Sequence, residues 1–126
     1  MTTDDYNAFC EALPATTHVV QWGGAHVWKV GGKVFAIGWW DSGTAAITFK
    51  AGDTSFAMLA EQPGLRPAPY LASRGLKWIQ HHATPGLTDD ELKGYLRQSH
   101  RIVAGGLSKK RRAELGLDRD RPGTDG

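Results

Sequence analysis

The residues best equipped for chemistry in this chain are its cations. Lys29, Lys33 and Lys50 fall within or beside apolar, β-branched stretches. Arg66, Arg74 and Lys77 fall in and just after a proline-rich segment. Lys93, Arg97 and Arg101 recur every four residues, and Lys109, Lys110, Arg111 and Arg112 run consecutively. Lysines and arginines gathered on one surface follow nucleic-acid phosphates, and the affinity they supply depends on salt. Trp40 or Trp78 would add a stacking surface for bases. The competing account is charge balance, since 15 basic residues meet 13 acidic ones and the net charge is only +2. Asp89 also stands four residues before Lys93, the spacing of an ordinary helix pair.

The other reactive side chains carry weaker signals. Arg66 sits among Pro63, Pro67 and Pro69. A guanidinium held there would offer a fixed fork of donors to a phosphate or carboxylate. The structural alternative is that it bonds loop carbonyls left without ladder partners. His81 and His82 are adjacent, so on a strand they point to opposite faces and cannot share one ion without a bulge. No HExxH, CxxC or DxD pattern accompanies them or His100, and His18 and His26 read as sheet residues. A catalytic base at His82 or His100 would lack a nucleophile or metal signature beside it. Cys10, the single cysteine, lies on a helical apolar stripe and reads as a buried, inert thiol. Gly23-Gly24 and Gly31-Gly32 join strands rather than opening a helix, so neither is a phosphate loop. No catalytic residue, metal site or cofactor is therefore assigned.

Composition sets the frame. At 126 residues with 40% apolar and 22% charged residues, one globular domain is expected. Apolar runs are too short for a membrane span. The N-terminus, with Asp4 and Asp5, lacks the basic and apolar regions of a signal peptide. A soluble cytoplasmic monomer without a membrane partner is the expectation. Five tryptophans are many for this length and read chiefly as core of a small sheet.

The elements that would position the cations follow from periodicity and turn chemistry. Residues 3–13 predict a helix capped by Thr3 or Asp4, with Tyr6, Phe9, Cys10 and Leu13 on one stripe and Pro14 as its stop. Residues 17–22, 25–30 and 33–40 predict a meander of strands turned by the two Gly-Gly pairs. Tight turning at Gly31-Gly32 would pair Val30 with Lys33, Trp28 with Phe35 and His26 with Ile37 on the core face. Val27, Lys29, Val34, Ala36 and Gly38 would share the other, partly open face. Residues 44–50 predict a fourth strand, and Asp53 a cap for a helix over 54–62 ended by Pro63. Three prolines in the seven residues 63–69 then exclude helix. The segment Pro63–Leu71, with Leu65, Tyr70 and nearby Trp78 as apolar anchors, reads as a rigid crossover to a fifth strand over 76–82, paired with either the fourth or the first. Thr88-x-x-Glu91 is a capping box opening a helix over 88–104. Its stripe is Leu92, Tyr95, Leu96, Ser99, Ile102 and Val103. Ser108–Leu117 predict a short helix, and 118–126 a disordered tail beyond a domain of residues 1–117. The order of elements is that of an α+β two-layer sandwich, helices on one face of a mostly antiparallel sheet.

Four features in that order resemble the MmcQ/YjbR-like family of small bacterial proteins. They are Ala12-Leu13-Pro14 closing the first helix and the hairpin Val30-Gly31-Gly32-Lys33-Val34-Phe35-Ala36. The loop Pro63-Gly64-x-x-Pro67-Ala68-Pro69-Tyr70-Leu71 leads on to Trp78. Leu96-x-x-Ser99-His100 precedes Leu107-Ser108-Lys109-Lys110. The resemblance spans about residues 3–115 and implies a CyaY-like fold, similar to bacterial frataxin. It also implies a DNA-binding role through a double-wing arrangement of sheet and hairpins, with no agreed enzymatic activity. Gln21-Trp22-Gly23-Gly24 departs from the proline-phenylalanine-glycine type segment common in that family. Iron binding of the frataxin kind is not carried over, because the first helix offers only Asp4, Asp5 and Glu11.

Taken together, these readings make the chain a non-enzymatic binding protein, contacting DNA through a basic surface of sheet and hairpin. The candidate contacts are Lys29, Lys33, Lys50, Arg66, Arg74, Lys77, Arg97, Arg101, Lys109, Lys110, Arg111 and Arg112. The alternative is a protein-interaction or small-ligand module using a groove beside Pro63–Leu71.

Overall fold

The computed structural model describes residues 1–41, 44–69 and 76–117. In chain order the elements are α1 (Thr3–Glu11), β1 (Thr16–Gln21), β2 (Ala25–Val30), β3 (Lys33–Asp41), β4 (Thr44–Lys50), α2 (Asp53–Leu59), β5 (Leu65–Pro67), β6 (Trp78–His81), α3 (Asp89–Gly105) and α4 (Lys109–Glu114). The strands form a six-stranded sheet in the order β1-β2-β3-β4-β6-β5, every described pair antiparallel. Helices cover one side of it, giving the expected α+β two-layer architecture. The fifth predicted strand, β6, pairs with β4. Within the proline segment lies a strand that periodicity did not reveal. Leu65, Arg66 and Pro67 form an edge strand on β6, the position where a strand proline is tolerated.

The core lies between the sheet and α1 with α3. One register row, His18-Trp28-Ala36-Phe49-Ile79-Pro67, crosses the whole sheet on the helix side. Trp28 Nε1 donates to Asn7 Oδ1 of α1 at 2.9 Å, and Phe49 stacks on Tyr95 of α3 with centroids 5.7 Å apart. Tyr6, Phe35 and Phe49 are fully buried, each contributing about 2–3 kcal/mol by removal from water. The Tyr6 hydroxyl stays satisfied by donating to the His26 carbonyl at 2.8 Å, and burial pushes its pKa up.

Caps differ in detail from the sequence reading. Thr2 rather than Thr3 or Asp4 caps α1, accepting from the Asp5 amide at 3.0 Å. Gly52 occupies the cap of α2 without a side-chain bond, so Asp53 is a first-turn residue there. The Thr88–Glu91 capping box of α3 is present in both directions.

The hairpin register is corrected by a bulge. Val30 pairs with Lys33 and Lys29 with Val34, but Trp28 then pairs with Ala36, Val27 with Ile37 and His26 with Gly38. Phe35 is the inserted residue, so the expected Trp28–Phe35 and His26–Ile37 pairs do not form. On the β4 side of the bulged residue, Ser99 of α3 bridges β3 and β4. Its hydroxyl donates to the Phe35 carbonyl at 2.6 Å and accepts the Lys50 amide at 2.8 Å. Ser99 is fully buried in this position. A helix residue thereby takes the place of one rung between β3 and β4, and ties helix layer to sheet at the bulge.

The crossover is a clasp. The Gly64 carbonyl accepts from the His82 and Ala83 amides, at 2.9 and 3.2 Å, and the Gly86 amide donates to the Pro63 carbonyl at 3.1 Å. Gly64 has a φ of +90° and its missing Cβ would collide with the Ala83 carbonyl, so glycine is required there. Tyr70 and Leu71, two of the apolar anchors expected from sequence, lie outside the described residues.

Candidate nucleic-acid interface

The register fixes which cations share a surface. On the face away from α1 and α3, a second row crosses the sheet as Val19-Val27-Ile37-Thr48-Gln80-Arg66. Alternation puts Lys29, Lys50 and Trp78 on this outer face, as expected for Lys29. Lys50 Nζ lies 5.7 Å from the Trp78 ring centroid, a cation–π contact. Arg66 stands at the outer edge and gives both Nε and Nη2 to Gln80 Oε1, at 2.8 and 2.7 Å. Among the described residues its partner is Gln80 rather than a loop carbonyl, and it lies in a strand.

Among the described residues, strand direction also separates a cationic from an acidic end. The Gly31-Gly32 tip, the start of α2 and the C-terminus of α3 share one end. A Cβ at Gly31 would run into Leu107 and Leu115, which places α4 against the hairpin tip. His100 Nε2 donates to the Pro14 carbonyl at 2.8 Å, bringing the end of α1 to the same level. This end carries Lys29, Lys33, Lys50, Lys77, Arg101 and the Lys109–Arg112 run, against Glu11, Asp53 and Glu114. At the other end the Met1 ammonium meets Asp89 at 3.1 Å and the Met1 carbonyl accepts from Trp40 Nε1 at 3.2 Å. There the first turns of α1 and α3 present Asp4, Asp5, Asp89, Asp90 and Glu91, and Asp41 closes β3. Acids at helix N-termini match the positive dipole ends, so local helix stability and the charge separation arise from the same residues.

The predicted cations are not equivalent. Lys77 reaches Asp53 at 3.9 Å and lies over the Phe56 ring, on the α2 side. Arg97 stacks on Phe9 with its guanidinium 5.2 Å from the ring centroid, joining α3 to α1. Arg111 pairs with Glu114 at 3.5 Å. Arg112 Nη1 donates to the carbonyls of Gly105 and Leu107, at 3.2 and 2.6 Å, closing the end of α3. Arg101 is exposed. Lys29, Lys33, Lys50, Lys109 and Lys110 have no acidic partner among the described residues. Arg74 lies outside the described residues, as does the 70–75 part of the alternative groove beside Pro63–Leu71.

The aromatic expectation changes. Trp78 is buried and Trp40 is half-buried against Tyr6, so neither offers a stacking face. Trp22 and Trp39 are the exposed tryptophans, at 58% and 44%. They were missed because tryptophan content alone does not say which ring lands on the outer face.

Desolvation lowers the pKa of four histidines, His18, His81, His82 and His100. His81 Nε2 accepts from the Leu87 amide at 3.0 Å, and burial is the main cause lowering its pKa. Burial also dominates at His100. His82 is lowered by desolvation and then by the Arg66 charge. His18 stacks on Trp28 and His26, with its Nε2 3.1 Å from His26 Nδ1. Burial pushes the Cys10 thiol up to about 12, in keeping with an inert core cysteine. Among the described residues no group of three or more histidines, cysteines and carboxylates is placed to hold a metal ion, and no helix is long and apolar enough to cross a membrane.

A six-stranded antiparallel sheet with helices on one face, a bulge pinned from α3 and a glycine-proline clasp define a small α+β class of protein. The YjbR family model matches residues 11–102, and the chain belongs to that family. Its structure is similar to that of Deinococcus radiodurans protein DR2400, assigned to the DUF419 domain. The TM-score is 0.80 at 22% identity, covering 92% of this chain and 88% of that one. It is also similar to a protein from Pseudomonas syringae, with a TM-score of 0.64 at 16% identity over 82% of this chain and 99% of that one. At these identities the likeness is one of fold. No curated protein matches the chain.

Proposed function

We propose that this chain is a non-enzymatic, cytoplasmic DNA-binding protein that holds the phosphate backbone on its cationic end. Lys29 and Lys50 on the outer face, Lys33 at the hairpin tip, and Lys109 and Lys110 on α4 are the contacts. The carrying observation is the separation of charge. These lysines lack acidic partners among the described residues, whereas the acidic first turns of α1 and α3 lie at the far end. A near-neutral net charge therefore hides a strongly polar distribution, which steers an anionic rod to one end. Lysines act as point charges on phosphates, so the binding carries little sequence preference.

The test is a fluorescence anisotropy titration with a labelled duplex of mixed sequence. Binding is expected at ~50 mM salt, weakening by a log–log slope of about −0.9 per phosphate contact, or roughly −4 for four to five contacts. Absence of binding at low salt, or binding that salt does not weaken, overturns the proposal.

A further inference from the structure

The two edges of the sheet are built differently. β5 is three residues long and carries Arg66 and Pro67, the features that protect an edge from pairing. β1, Thr16-Thr17-His18-Val19-Val20-Gln21, has six residues, no proline, no lysine, arginine or carboxylate, and four consecutive exposed positions. Its exposed side chains include Val19 at 36% and Val20 at 52%, and Trp22 follows directly at 58%. Trp22 is held at a φ of +53°, a left-handed conformation costing about 1 kcal/mol for a non-glycine residue. Such a segment is a template for another strand.

We infer that β1 is a dimerisation edge, pairing antiparallel with β1 of a second copy about a two-fold axis normal to the sheet. Three features select a second copy as occupant. First, the strand is uncharged, so it offers nothing to a charged peptide. Second, the pattern is self-complementary. Directly opposed residues share a face, which requires a register of like parity. Centred on Val19, that register sets Val19 against its own equivalent, His18 against Val20, Thr17 against Gln21 and Trp22 against Thr16 of the other copy. Third, antiparallel pairing reverses the second molecule, so the acidic end of each copy lies beside the basic end of the other. The result is a continuous twelve-stranded sheet, counting two six-stranded halves, with β5 closing each outer edge. This departs from the monomer expected from the sequence and is independent of DNA binding.

Sedimentation equilibrium of the full chain, loaded up to ~100 µM because self-association follows concentration, is the test. The native protein is expected to show twice the monomer mass. Val19→Lys, which opposes two like charges at the axis, is expected to show the monomer mass with an unchanged circular dichroism spectrum. Val19→Cys is expected to form a covalent dimer under mild oxidation, whereas Met58→Cys, exposed on α2, is not. Monomer mass for the native chain overturns the inference, even where an extended peptide binds β1. So does a dimer that survives Val19→Lys, or assembly into larger species.

Discussion

Ser99→Ala is expected to lower the free energy of unfolding by about 3 kcal/mol, because it strands two backbone groups at once. The Ser99 hydroxyl is fully buried and serves the Phe35 carbonyl and the Lys50 amide together. Each buried group left without a partner costs about 1–3 kcal/mol, more than the net value of a bond retained. Little apolar area is lost with one hydroxyl, so no cavity term of note is added. For a domain of this size the melting temperature should fall by roughly 10–15 °C. Chemical denaturation with an unchanged m-value checks the energy. Hydrogen exchange checks the cause, since the Lys50 amide should lose protection out of proportion to its neighbours on β4. A change below about 1 kcal/mol would mean that the Phe35 carbonyl and the Lys50 amide find other partners and that Ser99 is not their fastener.

Reversing charge at Lys33, Lys109 and Lys110 together, as Lys33→Glu, Lys109→Glu and Lys110→Glu, is expected to abolish duplex binding. At ~0.1 M salt, release of counterions makes each phosphate contact worth roughly tenfold in affinity. Three contacts removed amount to roughly a thousandfold, before repulsion is counted. All three side chains are exposed and none has an acidic partner among the described residues. Stability should therefore hold within about 0.5 kcal/mol. Lys93→Glu, one turn from the acidic start of α3, should change affinity by no more than about threefold, since only long-range attraction is lost. A loss for Lys93→Glu about one third as large in log affinity as that of the triple change, in proportion to the charge removed, would show that net charge, not its position, governs association.

Much of this fold is legible in the residues, and the exceptions have physical causes. The capping box of α3, the Gly-Gly turns and the apolar stripes of α1 and α3 are local signals, each read by a neighbouring backbone group or one helix face. The bulge at Phe35 is not local. Beside it Ser99, far along the chain, joins the Phe35 carbonyl of β3 to the Lys50 amide of β4, and a hairpin pattern contains no trace of that. Ser99 reads from periodicity only as a small member of the α3 stripe. β5 is hidden for a similar reason. Pro67 argues against a strand unless the strand is known to lie at an edge, and edge position is a property of the assembled sheet.

The candidate interface shows the same division. The runs Lys109–Arg112 and Asp89–Glu91 are visible in the chain, and helix dipoles favour acids at N-termini. What sequence does not reveal is that α3 carries these runs to opposite ends, with the Gly31-Gly32 tip at the cationic one. Nor does it separate the lysines without acidic partners from cations already engaged. Arg97 is spent on Phe9, Arg112 on the end of α3, Lys77 on Asp53 and Arg66 on Gln80. Those four are cations like the candidate contact lysines, but each is already engaged within the protein.

The most direct test of the central claim, that phosphates are held at the cationic end, is a map of duplex contacts on the protein. A ¹⁵N-labelled sample titrated with an unlabelled duplex at low salt reports every backbone amide. The account predicts shift changes concentrated at Lys29–Val34, at Lys50 and at Ser108–Arg112, fading as salt is added. Changes centred instead on Asp4–Tyr6, Asp41 and Asp89–Glu91, or on β5 and the Gly64 clasp, would contradict it.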